Sequence, residues 1–283
     1  MFRRTVPVAN INGVGAGQVA TIDLPLDRRY HSLMLRYSES GTPANQATMD
    51  AAITRIRVII NSRTQREYSA AELRVLNAVN GAPYAFQAGF LPIYFSEPWR
   101  RTPGGEDALA WPVYQALGIQ SFQVEVTIAA GRVSPALSAK AVIDQVDPSK
   151  VPFGPIVTTR RRVVDVGATG PKTLLDMPKN LGDYRALHAF EDTANDISGL
   201  RVTVDQLIAF DRTDAENTAF LNQGGYVPQT AVFHAIFDED RRFGDGLPMI
   251  RGDKSMVSEF TLEFDMAAAN PFTLIAEMLG GLS

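Results

Sequence analysis

Apolar and polar residues alternate with a period of two along much of this chain. In Phe122–Ile128 the apolar residues Phe122, Val124, Val126 and Ile128 interleave with Gln123, Glu125 and Thr127. In Phe260–Met266 the corresponding set is Phe260, Leu262, Phe264 and Met266. Such alternation predicts antiparallel strands with one wet face. Ile56, Val58 and Ile60 keep the same rhythm, broken on the polar side by Ile59, and Leu200, Val202 and Val204 repeat it. Further strands are predicted over 19–24, 32–37, 90–95, 158–164, 187–190 and 231–237.

Helical signals are fewer. Ser69-Ala-Ala-Glu72 reads as a capping box, with Leu73, Leu76 and Val79 following at helical spacing. Thr213-Asp-Ala-Glu216, followed by Ala219 and Phe220, reads the same way. A third helix is expected over 108–117 and a fourth over 271–282, the latter ended by Gly280-Gly281. Residues 42–50 and 101–107 read as surface loops.

The pattern occurs twice. Ile53-Thr-Arg-Ile-Arg-Val-Ile-Ile-Asn61 recurs as Ile197-Ser-Gly-Leu-Arg-Val-Thr-Val-Asp205, a shift of 144 (197 − 53). Phe122–Ile128 recurs as Phe260–Met266, a shift of 138 (260 − 122). Leu91-Pro-Ile-Tyr-Phe-Ser-Glu97 has a weaker echo in Phe233-His-Ala-Ile-Phe-Asp-Glu239, and Leu24-Pro25 with Tyr30 answers to Met177-Pro178 with Tyr184. The matches run in one order, and the shrinking shift places deletions between strands, where loops tolerate them. Two copies of one β domain follow.

About eight short strands with a helix on one connection is the inventory of a jelly roll. An immunoglobulin-like sandwich accommodates that helix less readily. The fold class expected is all-β: two tandem eight-stranded jelly rolls with short helices in strand connections. The first spans 1–146 and the second 157–283; residues 147–156 are the linker, in a stretch carrying Pro148, Pro152, Gly154 and Pro155.

Composition narrows the function classes. The chain has 283 residues, 45% apolar and 20% charged, enough for two ordinary domains. A net charge of −4 lacks the basic excess of a nucleic-acid binder, so no specific nucleic acid is expected. With no cysteine, thiolate metal sites and cysteine nucleophiles are excluded. No apolar run reaches the roughly 18–20 residues of a membrane span, and the opening residues do not read as a signal peptide. Synthesis and folding in the cytoplasm are expected.

Catalytic and ligand motifs are weak. The histidines are His31, His188 and His234, without a His-x-His pair, and read as strand-face residues rather than metal ligands. Gly13-Val-Gly-Ala-Gly17 precedes a strand rather than a helix and reads as a turn. Asp238, Glu239, Asp240 and Asp245 offer oxygen ligands of the kind calcium takes, but their spacing is not that of an EF-hand and Arg241-Arg242 compete for them. A solvated loop with local ion pairs is the favoured reading. Arg160-Arg-Arg162, echoed by Arg3-Arg4, is expected before the first strand of its domain, binding headgroups or nucleic acid or, by preference, pairing with carboxylates.

An ordered series of residues then resembles a known family. It runs from Ala16-Gly-Gln-Val-Ala-Thr-Ile-Asp-Leu-Pro25 through Tyr30, Leu35-Arg-Tyr37, Phe95-Ser-Glu-Pro98, Ala116-Leu-Gly118 and Phe122–Ile128. It continues with Thr159-Arg-Arg161, Asp176-Met-Pro178, Gly182-Asp-Tyr-Arg185 and Val202-Thr-Val-Asp205. The chain resembles the major capsid proteins of corticovirus-type phages, which are tailless, icosahedral and contain an internal membrane. The resemblance implies a non-enzymatic double jelly-roll coat protein of the virion that forms homotrimers. Its expected partners are neighbouring capsid trimers, a penton protein, and the viral membrane or membrane proteins beneath the shell. No cofactor is required, although the family's association with structural calcium makes an ion possible. Independently, three subunits of two similar domains present six similar edges, a pseudo-hexagonal tile.

In such a protein affinity resides in interfaces. The segments 90–95 and 231–237 are apolar on both faces, making Phe90, Ile93, Phe95, Phe233, Ile236 and Phe237 interface candidates. Cover by the domain's own helix is the alternative. A competing function is a two-domain jelly-roll carbohydrate binder or hydrolase working through acidic residues. The scarcity of tryptophan, Trp99 and Trp111 alone, speaks against it.

Overall fold

A computed structural model describes residues 2–81, 84–100, 109–147, 154–239, 241 and 246–282. They divide into two compact units, the first running to Ile156 and the second from Val157, with Val79–Gly81 grouped in the second and Leu282 in the first.

The first unit contains β1 (Arg4–Val8), β2 (Ile11–Asn12), β3 (Val19–Asp23), β4 (Arg28–Glu39), β5 (Thr42–Pro43), α1 (Gln46–Ala52), β6 (Ile53–Ile60) and β7 (Arg63–Tyr68). It continues with α2 (Ala70–Val79), β8 (Phe90–Tyr94), β9 (Trp111–Val113), β10 (Phe122–Ile128) and β11 (Pro135–Asp144). One sheet runs β1-β11-β4, with β5, β8 and β9 all pairing β4; the other runs β2-β3-β10-β6-β7. The second unit contains β12 (Ile156–Val164), β13 (Gly170–Leu174), β14 (Asp183–Glu191), β15 (Ile197–Val204), β16 (Leu207–Thr213), α3 (Asp214–Gln223), β17 (Val232–Ile236), β18 (Phe260–Met266) and β19 (Phe272–Gly280). Its sheets run β12-β19-β14-β17 and β13-β18-β15-β16. Matched strand by strand, the two units have the same order, β1-β11-β4-β8 against β12-β19-β14-β17 and β3-β10-β6-β7 against β13-β18-β15-β16. Each is a jelly roll, and α2 and α3 occupy the same connection.

The alternating residues do what their pattern predicts. Phe122, Val124, Val126 and Ile128 are buried, as are Phe260, Leu262, Phe264 and Met266. Burying each such side chain contributes about 1.5–3 kcal/mol. Around Phe122 the first unit packs Tyr30, Phe95 and Trp111 with ring centroids 5.0–5.9 Å from it. The second unit's core joins Tyr184, Phe260, Phe264 and Phe272. One bond recurs in both: the Tyr30 hydroxyl donates to the Pro25 carbonyl (2.5 Å) and the Tyr184 hydroxyl to that of Pro178 (2.6 Å).

The β6–β7 and β15–β16 hairpins close on two residues of positive φ, Asn61-Ser62 and Asp205-Gln206. Two left-handed residues are what the right-handed strand twist asks of a two-residue turn, and Asn and Asp tolerate that region best after Gly. The turn's first side chain then clamps the start of the next core strand. Asn61 Oδ1 accepts from the backbone N–H of Gln120 (2.7 Å) and Ser121 (3.3 Å), and Asp205 Oδ1 from that of Ser258 (2.8 Å) and Glu259 (3.1 Å). The glycine-rich segment is the turn between β2 and β3. Gly13 has φ 75°, and a Cβ there would stand 2.6 Å from the Val19 carbonyl oxygen.

Several expectations are corrected. The tail is not a helix: β19 pairs with β14 along its length, and Phe272, Leu274, Ala276 and Met278 enter the core. The helix expected over 108–117 is replaced by β9, which pairs with β4, and by a single 3₁₀ turn at Gln115–Leu117. Residues 42–50 hold β5 and most of α1, capped by Asn45, whose side chain accepts from Thr48 N–H. The arginine runs do not precede their strands: Arg4 begins β1, and Arg160-Arg-Arg162 lies within β12. Most of the linker falls outside the described residues.

Candidate functional site

In each unit a helix precedes the β8 or β17 strand and bonds to it. Helix α2 begins with Ser69, whose hydroxyl accepts from Glu72 N–H while the Glu72 carboxylate accepts from Ser69 N–H. Thr213 and Glu216 form the same reciprocal pair at α3. Both helices are tied to their strand by a buried asparagine amide. Asn77 donates to the Pro92 carbonyl (2.9 Å) and Asn217 to that of His234 (2.8 Å). Pro92 and His234 are equivalent in the repeat.

The interface candidates differ in burial. Ile93, Phe95 and Phe233 are buried, Phe233 in the second unit's core, and Ile236 is buried in a small cluster with Val79, Ala186, Leu221 and Tyr226. Phe237 is partly buried, its ring edge-on to Phe210 at 5.8 Å. Phe90 keeps 38% of its surface, beneath the Arg36 guanidinium.

The acidic loop is engaged by arginine. Asp238 is buried and pairs with Arg185 at 2.5 Å, and Glu239 pairs with Arg212. Arg212 is itself stacked on the Phe220 ring at 4.0 Å. Both carboxylates are thus shared with guanidinium groups, which compete with any cation for their oxygens. Asp240 and Asp245 lie outside the described residues. Glu191 and Asp214 line a cavity of about 270 Å³, and burial pushes both carboxyls up. Glu191 accepts from the backbone N–H of Asn195 (2.7 Å) and Ile197 (3.2 Å), so both its oxygens already face amides. Among the described residues no group of three or more His, Asp or Glu side chains stands together as a metal site. In β12, Arg162 pairs with Asp176 at 2.7 Å, the local ion pairing favoured for that run.

The histidines divide between the units. His31 is buried with its Nε2 3.2 Å from Asp144, which also receives two hydrogen bonds from Arg29. His188 and His234, 46 residues apart, are register partners of β14 and β17, with their Nδ1 atoms 2.7 Å apart. Sequence spacing alone keeps these two apart. Matching Phe233 to Leu91, in the strand beside β4, is the signal that could have joined them.

Residues 5–146 match the family model described as the viral coat protein P2 N-terminal domain, and residues 156–282 match that of its C-terminal domain. The chain belongs to this coat-protein family. It is therefore a structural capsid component and not an enzyme, and the carbohydrate reading is not supported; Trp111, fully buried among aromatic rings, offers no sugar platform. The coat protein is similar over 100% of its length to 98% of the major capsid protein P2 from Bacteriophage PM2, at 19% identity and a TM-score of 0.83. It is similar to the STIV MCP at 11% identity and a TM-score of 0.71, covering 99% of this chain and 97% of that one. For PBCV-1 VP54 the values are 12% and 0.65, over 98% and 93% of the two chains. These likenesses show the fold, a double jelly roll. No curated protein sequence matches the coat protein.

Proposed function

We propose that this coat protein acts as a homotrimer whose six jelly rolls form one pseudo-hexagonal tile of an icosahedral shell. The observation that supports it most is the equivalence of the two units in strand order, helix cover and hairpin clamp. Three copies of a chain with two matching units approximate sixfold symmetry with a threefold operator, and such tiles pack side by side with their neighbours. In this reading neighbouring trimers and a vertex-filling penton protein are its protein partners. A lipid membrane, or proteins within it, lies beneath the shell. The subunit is made in the host cytoplasm and ends in the virion capsid. Calcium bound through Asp238 and Glu239 is not part of the proposal.

Light scattering and electron microscopy of the purified chain test it. The expected particle has three times the chain mass of 30.9 kDa and a six-lobed outline. A stable monomer at high micromolar concentration overturns the proposal.

A further inference from the structure

The second jelly roll carries a polar device that the first lacks. On the rung joining β14 and β17, His188 faces His234; on the equivalent rung joining β4 and β8, Met34 faces Pro92. The histidines are 2% and 1% exposed, and their rings meet edge to face with centroids 5.0 Å apart. Neighbouring Leu187, Ala189, Phe233 and Ala235 enter the sandwich core, so the two histidines point to the outer face, towards the side that α3 covers.

A 2.7 Å Nδ1–Nδ1 contact needs one donor and one acceptor, so only one of the two Nδ1 atoms carries a proton. The remaining nitrogens decide which. His234 Nε2 is buried without a partner, whereas His188 Nε2 looks towards Glu277 Oε1 at 4.0 Å. A buried N–H without an acceptor costs more than an unused lone pair. The favoured arrangement has His234 Nδ1–H donating to His188 Nδ1, with the His188 Nε2–H directed at Glu277.

We propose that the His188–His234 pair is an acid-sensitive latch that fastens α3 and β17 to the second jelly roll and releases them as the pH falls. A proton added to His234 Nε2 has no acceptor, and protons on both Nδ1 atoms would set two donors against each other. The charged groups that face the pair do not relieve this. Arg185, on β14, is cationic, although Asp238 pairs with it. Glu277, on β19, is anionic and reaches only the His188 side. Helix α3 brings the uncharged Asn217. Burial accordingly pushes His234 down to about 3, and burial, His234 and Arg185 together hold His188 well below its ordinary value. With both values lower folded than unfolded, the stabilisation is complete above about pH 6.5 and drains away as the pH drops below it.

Amide hydrogen exchange of the assembled full-length protein at pH 7 and pH 5, corrected for intrinsic exchange, tests the latch. Opening of α3 and β17 is expected to rise by about 25-fold between pH 7 and pH 5 for each imidazole released. In the same sample β8, on the Met34–Pro92 rung, should change little. The His188→Met/His234→Val variant should lose the acid response of α3 and β17. Equal acid responses in wild type and variant overturn the proposal. Histidine-labelled NMR of the wild type is a second measurement, and it does not need the variant to fold. Both rings should stay neutral in the folded protein from pH 7 to pH 5, and titration of either within that range overturns the latch.

Discussion

Two matching corners of the jelly rolls solve one packing problem differently. In the first, Ser96 follows β8 and its hydroxyl donates to the His31 carbonyl (3.3 Å). In the second, the equivalent residue is Asp238, buried and paired with Arg185, the counterpart of His31. The backbone there is unchanged: Phe95 N–H donates to the His31 carbonyl and Phe237 N–H to that of Arg185, both at 2.8 Å. The Arg66 and Phe210 positions show the reverse exchange. Arg66 lies over Trp111 in the first unit, where the second packs Phe210. Charge can therefore enter either copy of this sandwich, provided that a partner enters with it.

The largest expected effect breaks that corner. Asp238→Ala removes the carboxylate from a buried ion pair and should cost about 3–5 kcal/mol. Ser96→Ala removes only a neutral hydrogen bond and should cost about 0.5–1.5 kcal/mol. Urea unfolding followed by circular dichroism checks both, and equal losses would contradict the contrast. A smaller and symmetric effect is expected where the units agree. Asn77→Ala and Asn217→Ala should each cost about 1–3 kcal/mol by leaving a buried carbonyl unmatched. Smaller again are the helix caps: Ser69→Ala and Thr213→Ala should each lower stability by about 1 kcal/mol in the same assay.

The smallest difference lies in the hairpin clamp and is read from the pH dependence of stability. The Glu259 N–H, the Ser258 hydroxyl and Arg251 hold the Asp205 carboxyl well below its ordinary 3.8. Its contribution is thus full above about pH 4 and is lost as the pH falls further. Asp205→Asn, which copies Asn61, should flatten the stability profile below pH 4 and lower stability slightly at pH 7, where the carboxylate contributes in full. A profile that keeps its slope in the variant would assign the acid loss elsewhere.

The architecture was legible because the repeat supplied what periodicity could not. Period-two alternation located β10 and β18, and the match of 53–61 to 197–205 located β6, β15 and the clamp residues that follow them. Strand β19 escaped because Leu274, Ile275, Met278 and Leu279 also satisfy helical spacing; Ile275 is buried on the second face of its sheet, which erases the alternation. Helix α1 escaped because its cap, Asn45, lacks the acidic partner three residues on that marks a capping box. The pairings of Asp238 and His234 depend on the register of β14 with β17, which brings Arg185 and His188 to them and which the match of Phe233 to Leu91 only hints at. Five of the six interface candidates are buried or partly buried in the chain, and an apolar strand reads alike under a helix and under a neighbouring subunit.

Asn77 and Asn217 reach equivalent carbonyls from different helical turns, eight residues beyond Ser69 and four beyond Thr213. A carbonyl oxygen belongs to every residue type, so no mutation of the strand can delete the acceptor. The strand beneath has accordingly been free to become Pro92 in one copy and His234 in the other. Anchoring a lid to the main chain leaves the side chains below it open to acquire new chemistry.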